Sequence, residues 1–147
     1  MAKNKKCCKK CSCGFTLIEL LVVIAIIGIL STIVLVSLNT ARTKAADVTT
    51  KANLKTIQPQ SELVYDSNIP NAYTGTAPSE NICANAIIVK ALTAAAVAGG
   101  GTTGVCNNSA TAWAAQSPLK SGGYWCVDSV GNNKAEAAAL GVAPVCP

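Results

Sequence analysis

The sequence predicts an α+β chain in which one very long N-terminal helix leads into a small antiparallel β-sheet head. Three observations carry that prediction. Residues 15–38 form an unbroken apolar run whose single charge is Glu19. A helical pattern continues from that run to about residue 66. Further on, two short aromatic-bearing segments flank a connection rich in Gly, Pro and Ser. The expected divisions are a basic stub at 1–14, the long helix at 15–66 with 15–38 as its membrane-spanning part, and a C-terminal head at 67–147.

The apolar run holds 24 residues. At about 1.5 Å per helical residue it reaches roughly 36 Å, more than the hydrocarbon core of a bilayer, about 30 Å. Lys3, Lys5, Lys6, Lys9 and Lys10 precede it with no acidic residue among them. From residue 15 onward seven basic and seven acidic side chains cancel, so the net charge of +5 sits in the stub. A basic stub against an apolar run orients a membrane helix with the stub in the cytoplasm. The same lysines could form a nucleic-acid-binding arm, but a stub held next to a bilayer is a poor candidate, so no direct nucleic-acid binding is expected. A secretory signal peptide has a shorter run followed by a small-residue cleavage site. The nearest such stretch, SLNTARTKA, lies inside a continuing helical pattern.

In that continuation Ala45, Val48 and Ala52 recur at i, i+3 and i+7, as do Leu54, Ile57 and Ser61. A helix of more than 40 residues needs partners along its length: a bilayer for one half, a folded head or neighbouring helices for the other. Pro59 predicts a kink or break, with a short helical continuation beyond it. Residues 68–78 read as a loop, and the Ala-rich residues 84–98 as a helix ending at Gly99, Gly100 and Gly101. Residues 110–115 and 124–128 are expected strands. A turn at residues 131–133 is expected to lead into a short Ala-rich helical stretch.

Several chemistries lack their residues. With no histidine in the chain, Ser-His-Asp and Cys-His nucleophile pairs and His-ligated zinc are excluded. Cys7, Cys8, Cys11 and Cys13 crowd four thiols into seven residues, a cramped arrangement for tetrahedral zinc, so they are read as free thiols and no metal or cofactor is expected. Asp128 and Glu136 are too few carboxylates for calcium and are expected on a solvated surface. Trp113, Tyr124 and Trp125 could form an exposed adhesive surface, but core packing between sheet and helix is expected for at least one Trp, because few other large side chains are available. Cys83, Cys106, Cys126 and Cys146 lie in the half that would be exported and are expected to form two disulfides. Four cysteines allow three connectivities. Cys83–Cys106 with Cys126–Cys146 is favoured, because each pair closes a loop of about 20 residues.

Gly14-Phe15-Thr16-Leu17-Ile18-Glu19, standing between the basic stub and the apolar run, resembles the processing site of type IV pilins and pseudopilins. The resemblance implies a pilin fold and a structural function rather than an enzyme. It implies that a prepilin peptidase cuts between Gly14 and Phe15, that the new Phe15 amine is methylated, and that Glu19 serves filament assembly. Glycine suits such a site because it lets the scissile peptide approach a protease closely. The partners implied are the peptidase, copies of the chain and related pilins, an inner-membrane assembly platform and membrane lipid. The implied location is the cytoplasmic membrane, single-pass with the head outside, and then a surface or periplasmic filament. A pilus and the pseudopilus of a type II secretion system are both compatible with these residues. More loosely, residues 41–66 resemble the amphipathic half of a pseudopilin helix, and residues 123–128 resemble the sheet of its head. The chain departs from the family at Val36, where many members have a proline nearby, at Pro59, and in its four leader cysteines. The alternatives of a different class are a membrane-anchored enzyme using Asp66, Glu80, Asp128 or Glu136 and a secreted binding module using Trp113 and Trp125; a mature start at Phe15 supports the pilin, and one beyond Ser37 supports secretion.

Overall fold

The computed structural model describes residues 15–147, and its contacts divide the chain into two units that meet between Leu38 and Asn39. The elements are α1 (Leu17–Lys55), α2 (Ile57–Ser67), α3 (Ala86–Ala98), β1 (Val105–Asn108), β2 (Trp113–Pro118), β3 (Tyr124–Asp128) and β4 (Asn133–Glu136). A long N-terminal helix followed by a small antiparallel sheet is the α+β arrangement the sequence predicts.

In the first unit, residues 15–38 are exposed on every side of α1. Among the described residues it is the one helix long and apolar enough to cross a membrane. Its two mid-run hydroxyls are folded back onto the helix. Ser31 donates to the Ile27 carbonyl at 2.7 Å and Thr32 to the Ile29 carbonyl at 2.8 Å. Both polar groups are therefore satisfied internally, as a lipid-facing helix requires.

In the second unit α1 meets the rest of the fold through Asp47, Thr50 and Leu54. This corrects the first of the two expected recurrences, since Ala45, Val48 and Ala52 are exposed. The reason is that the buried polar pair has specific partners. Thr50 donates its hydroxyl to the Ala95 carbonyl at 3.1 Å, and the Ser121 amide donates to Asp47 at 3.2 Å. Leu54, Ile57 and Ser61 are fully buried.

The break expected at Pro59 falls at Thr56 instead. Pro59 has no N–H to offer the Lys55 carbonyl four residues back, and its ring crowds that oxygen. The helix therefore ends at Lys55, and Pro59 sits in the first turn of α2, where a missing donor costs nothing. Asn85 caps α3, accepting from the Ile87 amide. At the other end Gly99 packs so tightly on β2 that a Cβ there would run into the Pro118 carbonyl oxygen.

The sheet is a meander in the order β1-β2-β3-β4, antiparallel throughout. Strand alternation gives it two covered faces. Trp113, Ala115 and Val127 join Leu54, Ile57, Val64, Tyr73, Ile88 and Leu92 in the main core under the helices. On the opposite face Ala114 and Cys126 pack with Leu140 and Cys146 of the C-terminal segment.

That second face accounts for the main differences from expectation. The strand expected at 110–115 begins later, at Trp113, and pairs on its outer side with β1, a strand not anticipated. The Ala-rich stretch after residue 133 is not helical. It forms β4, aligned with Tyr124–Val127 of β3, and then an irregular segment. Only nine residues separate Gly131 from Gly141, too few to repay helix nucleation when a strand partner is adjacent. Two disulfides close the fold. Cys83–Cys106 ties the α2–α3 connection to β1, and Cys126–Cys146 ties β3 to the C-terminal segment.

Candidate functional site

The start of α1 is organised around Thr16 and Glu19. The Thr16 amide and hydroxyl both donate to Oε2 of Glu19, each at 2.8 Å, and the Glu19 amide approaches the Thr16 hydroxyl oxygen at 3.3 Å. This is a reciprocal capping box. A Thr ahead of the first turn and a Glu three residues on satisfy each other's orphan groups. The sequence signal for it is the T-x-x-E spacing before an apolar run, and the sequence reading assigned Thr16 no such role. The box leaves the carboxylate half used. Oε2 is occupied, while Oε1 accepts no hydrogen bond among the described residues. Around it Phe15, Ile18, Val22 and Val23 present bare apolar surface.

Phe15 begins the described chain and is exposed. Gly14, the other half of the expected cleavage pair, and the leader cysteines Cys7, Cys8, Cys11 and Cys13 lie outside the described residues. Gly28, in the middle of the apolar run, has open space where a side chain would stand.

Three of the head carboxylates hold the fold locally, and Asp66 is exposed. Asp128, expected on a solvated surface, is instead buried on the tail side of the sheet. Its oxygens accept from the Val130 and Asn132 amides, the Asn132 side chain and the Cys146 amide at 2.7–3.1 Å. The cause is local: a β3–β4 turn and a returning C-terminal segment both present N–H groups that need an acceptor. Glu80 accepts from the Thr76 and Ala77 amides, and Glu136 pairs with Lys134 at 3.1 Å. Among the described residues no three Cys, Asp or Glu side chains converge as a metal site would need.

Two ionisable groups of the head are shifted. Burial pushes the Tyr73 hydroxyl up from 10.0 to about 12, reinforced by its hydrogen bond to the nearby Glu62 carboxylate at 2.9 Å. Burial alone would raise Asp47, but donors from Ser121 and Lys120 and the charge of Lys51 together hold its carboxyl below the usual range. Of the two tryptophans, at least one of which was expected in the core, Trp113 lies fully in it, whereas Trp125 is half-buried under the Lys51 ammonium, 4.2 Å from the ring centre.

The Thr16–Glu19 box is thus a built polar device at the N-terminal end of the exposed helix. Neither a curated protein nor a solved structure matches the chain. Residues 9–35, which span the end of the stub, the box and most of the apolar run, match the family described as the prokaryotic N-terminal methylation motif, the hallmark of type IV prepilins and pseudopilins.

Proposed function

We propose that the chain is a structural subunit of a type IV pilus-like filament. It is made as a precursor, inserted in the cytoplasmic membrane with the head outside, cleaved after Gly14 by prepilin peptidase and methylated on the Phe15 amine. An inner-membrane assembly platform then adds it to a filament of like chains. One observation carries this reading: the methylation motif coincides with a helix whose residues 15–38 have no protein cover. A helix apolar on every side needs lipid before assembly and other helices after it.

Glu19 is the residue on which assembly turns. A carboxylate in a membrane helix costs about 2.5–3.5 kcal/mol at the centre on insertion scales, and less near an end. The Thr16 donors offset part of that cost while the subunit waits. The open Oε1 then offers a place for the ammonium freed at Phe15 of a neighbouring chain, giving both charges a partner in an apolar bundle.

The test uses the full-length chain in a host that supplies the peptidase and the assembly machine. Intact mass should show residues 15–147 plus one methyl group, with filaments visible by electron microscopy. Glu19→Val should keep that mature mass and its membrane insertion but make no filaments. Losing one member of a buried charge pair costs about 3–5 kcal/mol, a hundredfold or more in the affinity of each addition step. An unprocessed chain, or a mature start beyond Ser37, would sink the processing scheme. Normal filaments from the Val variant would sink the role given to Glu19.

A further inference from the structure

The two disulfides of the head differ in what surrounds them. Cys126 and Cys146 are buried and pack with Ala114 and Leu140 between the sheet and the C-terminal segment. Cys83 and Cys106 are only partly buried. Their bridge rests on the main core and also lines an open cavity of about 310 Å³ between α3 and the connection that leads from α3 to β1.

Val89, Leu92 and Thr93 of α3 form one wall of that cavity, and Thr103 and Gly104 form the other. The walls are held close at one point, where a Cβ on Gly104 would stand 2.4 Å from Leu92 Cδ1. Val89 and Thr93 are exposed and stand at the mouth. None of the lining residues is charged. The volume is about ten times the roughly 30 Å³ share of one water, enough for a thiol of several heavy atoms.

We infer that Cys83–Cys106 is a thiol–disulfide exchange site that takes small thiols through this cavity, whereas Cys126–Cys146 is closed to them in the folded head. Exchange requires a thiolate to reach a bridge sulfur, so access governs its rate. The thiolate attacks one sulfur and forms a new S–S bond to it. The Cys83–Cys106 bond breaks, and its electron pair leaves on the other sulfur, which takes a proton from water. A second thiolate, from the same reagent when that is a dithiol, attacks the reagent's sulfur in the mixed disulfide. The second protein thiol is released and the reagent departs as its own disulfide. The bridge gains two electrons and two reagent thiols are oxidised.

Opening this bridge unties the α2–α3 connection from β1 without dismantling the head. β1 keeps its pairing with β2, and Asn108 still donates to the Tyr73 carbonyl and to Asn81 in that connection. Cys126–Cys146 still ties β3 to the C-terminal segment. One bridge is thus a reversible clasp and the other a permanent one.

The test uses the full-length chain in detergent at neutral pH, its free thiols first blocked with iodoacetamide. Dithiothreitol is added without denaturant, and newly freed thiols are trapped at intervals with isotope-labelled iodoacetamide and assigned by peptide mass. Cys83 and Cys106 should be labelled at least about tenfold faster than Cys126 and Cys146, because the buried bridge has to wait for the fold to open. Urea well below the unfolding transition should speed the second pair and leave the first unchanged. The attacking thiolate is negative, so Thr93→Lys should raise the Cys83–Cys106 rate and Thr93→Glu lower it. The two rates should stand several-fold apart at low salt and draw together at high salt. Both pairs labelled at one rate, Cys126–Cys146 labelled first, or no labelling without denaturant would each overturn the inference. A Cys83–Cys106 rate indifferent to charge at residue 93 overturns the cavity as the route. Should either variant misfold, the wild-type order of labelling and its urea dependence still decide.

Discussion

At the scale of single residues, polar side chains in this protein hold backbone in place. Thr16 and Glu19 cap α1, Thr50 reaches the end of α3, and Asp128 gathers four donors from the turn and the tail. Tyr73 is the residue whose titration reports on such packing. Its hydroxyl ionises near 10.0 when free and near 12 in the fold. Between those values the unfolded chain sheds the proton first, so stability is complete below pH 10 and falls as pH rises toward 12. The full loss is about 2–3 kcal/mol. Asp47 works in the opposite sense. Its carboxyl is held low in the fold, so its contribution is present above the ordinary carboxylate range and fades as pH falls through it. Denaturant unfolding of the head across alkaline pH should show the first slope, and Tyr73→Phe should remove it. A slope unchanged in the Phe variant would assign the loss to other groups.

At the scale of elements, the C-terminal segment has the clearest experimental handle. Leu140 and Cys146 cover the outer face of the sheet, Gln116 bonds the segment at Ala138 and Leu140, and Asp128 accepts from the Cys146 amide. Asp128→Ala leaves the Val130, Asn132 and Cys146 donors without their acceptor. Each buried orphan costs about 1–3 kcal/mol, and partial access to water brings the expected total to about 2–4 kcal/mol. Hydrogen exchange should show the loss concentrated at residues 129–133 and 146, with α1–α3 protected. A uniform loss would mean that the tail and sheet are one cooperative unit. This segment is also where the sequence was least legible. Ala135, Ala137, Ala138 and Ala139 favour a helix locally, and only the partner β3, far away in three dimensions as seen from the sequence, makes β4 the better outcome. The head-facing side of α1 was hidden for a related reason. Asp47 and Thr50 read as solvent-facing until their partners at Ser121 and Ala95 are known. By contrast, the apolar run of α1, the Gly-terminated α3 and the β3 strand were legible because each is set by local composition. At the candidate site, Glu19 is legible as a lone charge in an apolar run, and the T-x-x-E spacing of Thr16 and Glu19 is the sequence signal of the cap.

At the scale of the whole molecule, the two disulfides have a consequence beyond stabilisation against heat. In the chain-entropy picture each closes a loop worth roughly 3 kcal/mol. The loops, of 23 and 20 residues, do not overlap. Pulled from its ends, the chain must carry tension straight across each bridge, and the residues inside the two loops cannot straighten. At about 3.5 Å per extended residue, roughly 150 Å of slack is locked away. Single-molecule stretching of the head should therefore gain about that much contour length when reductant is added, and a gain near half of it would mean that only one bridge forms. In a fibre under traction, such a subunit would give little length before it held. The two cross-links set the reach of the strand as a tether, in addition to the melting point of its parts.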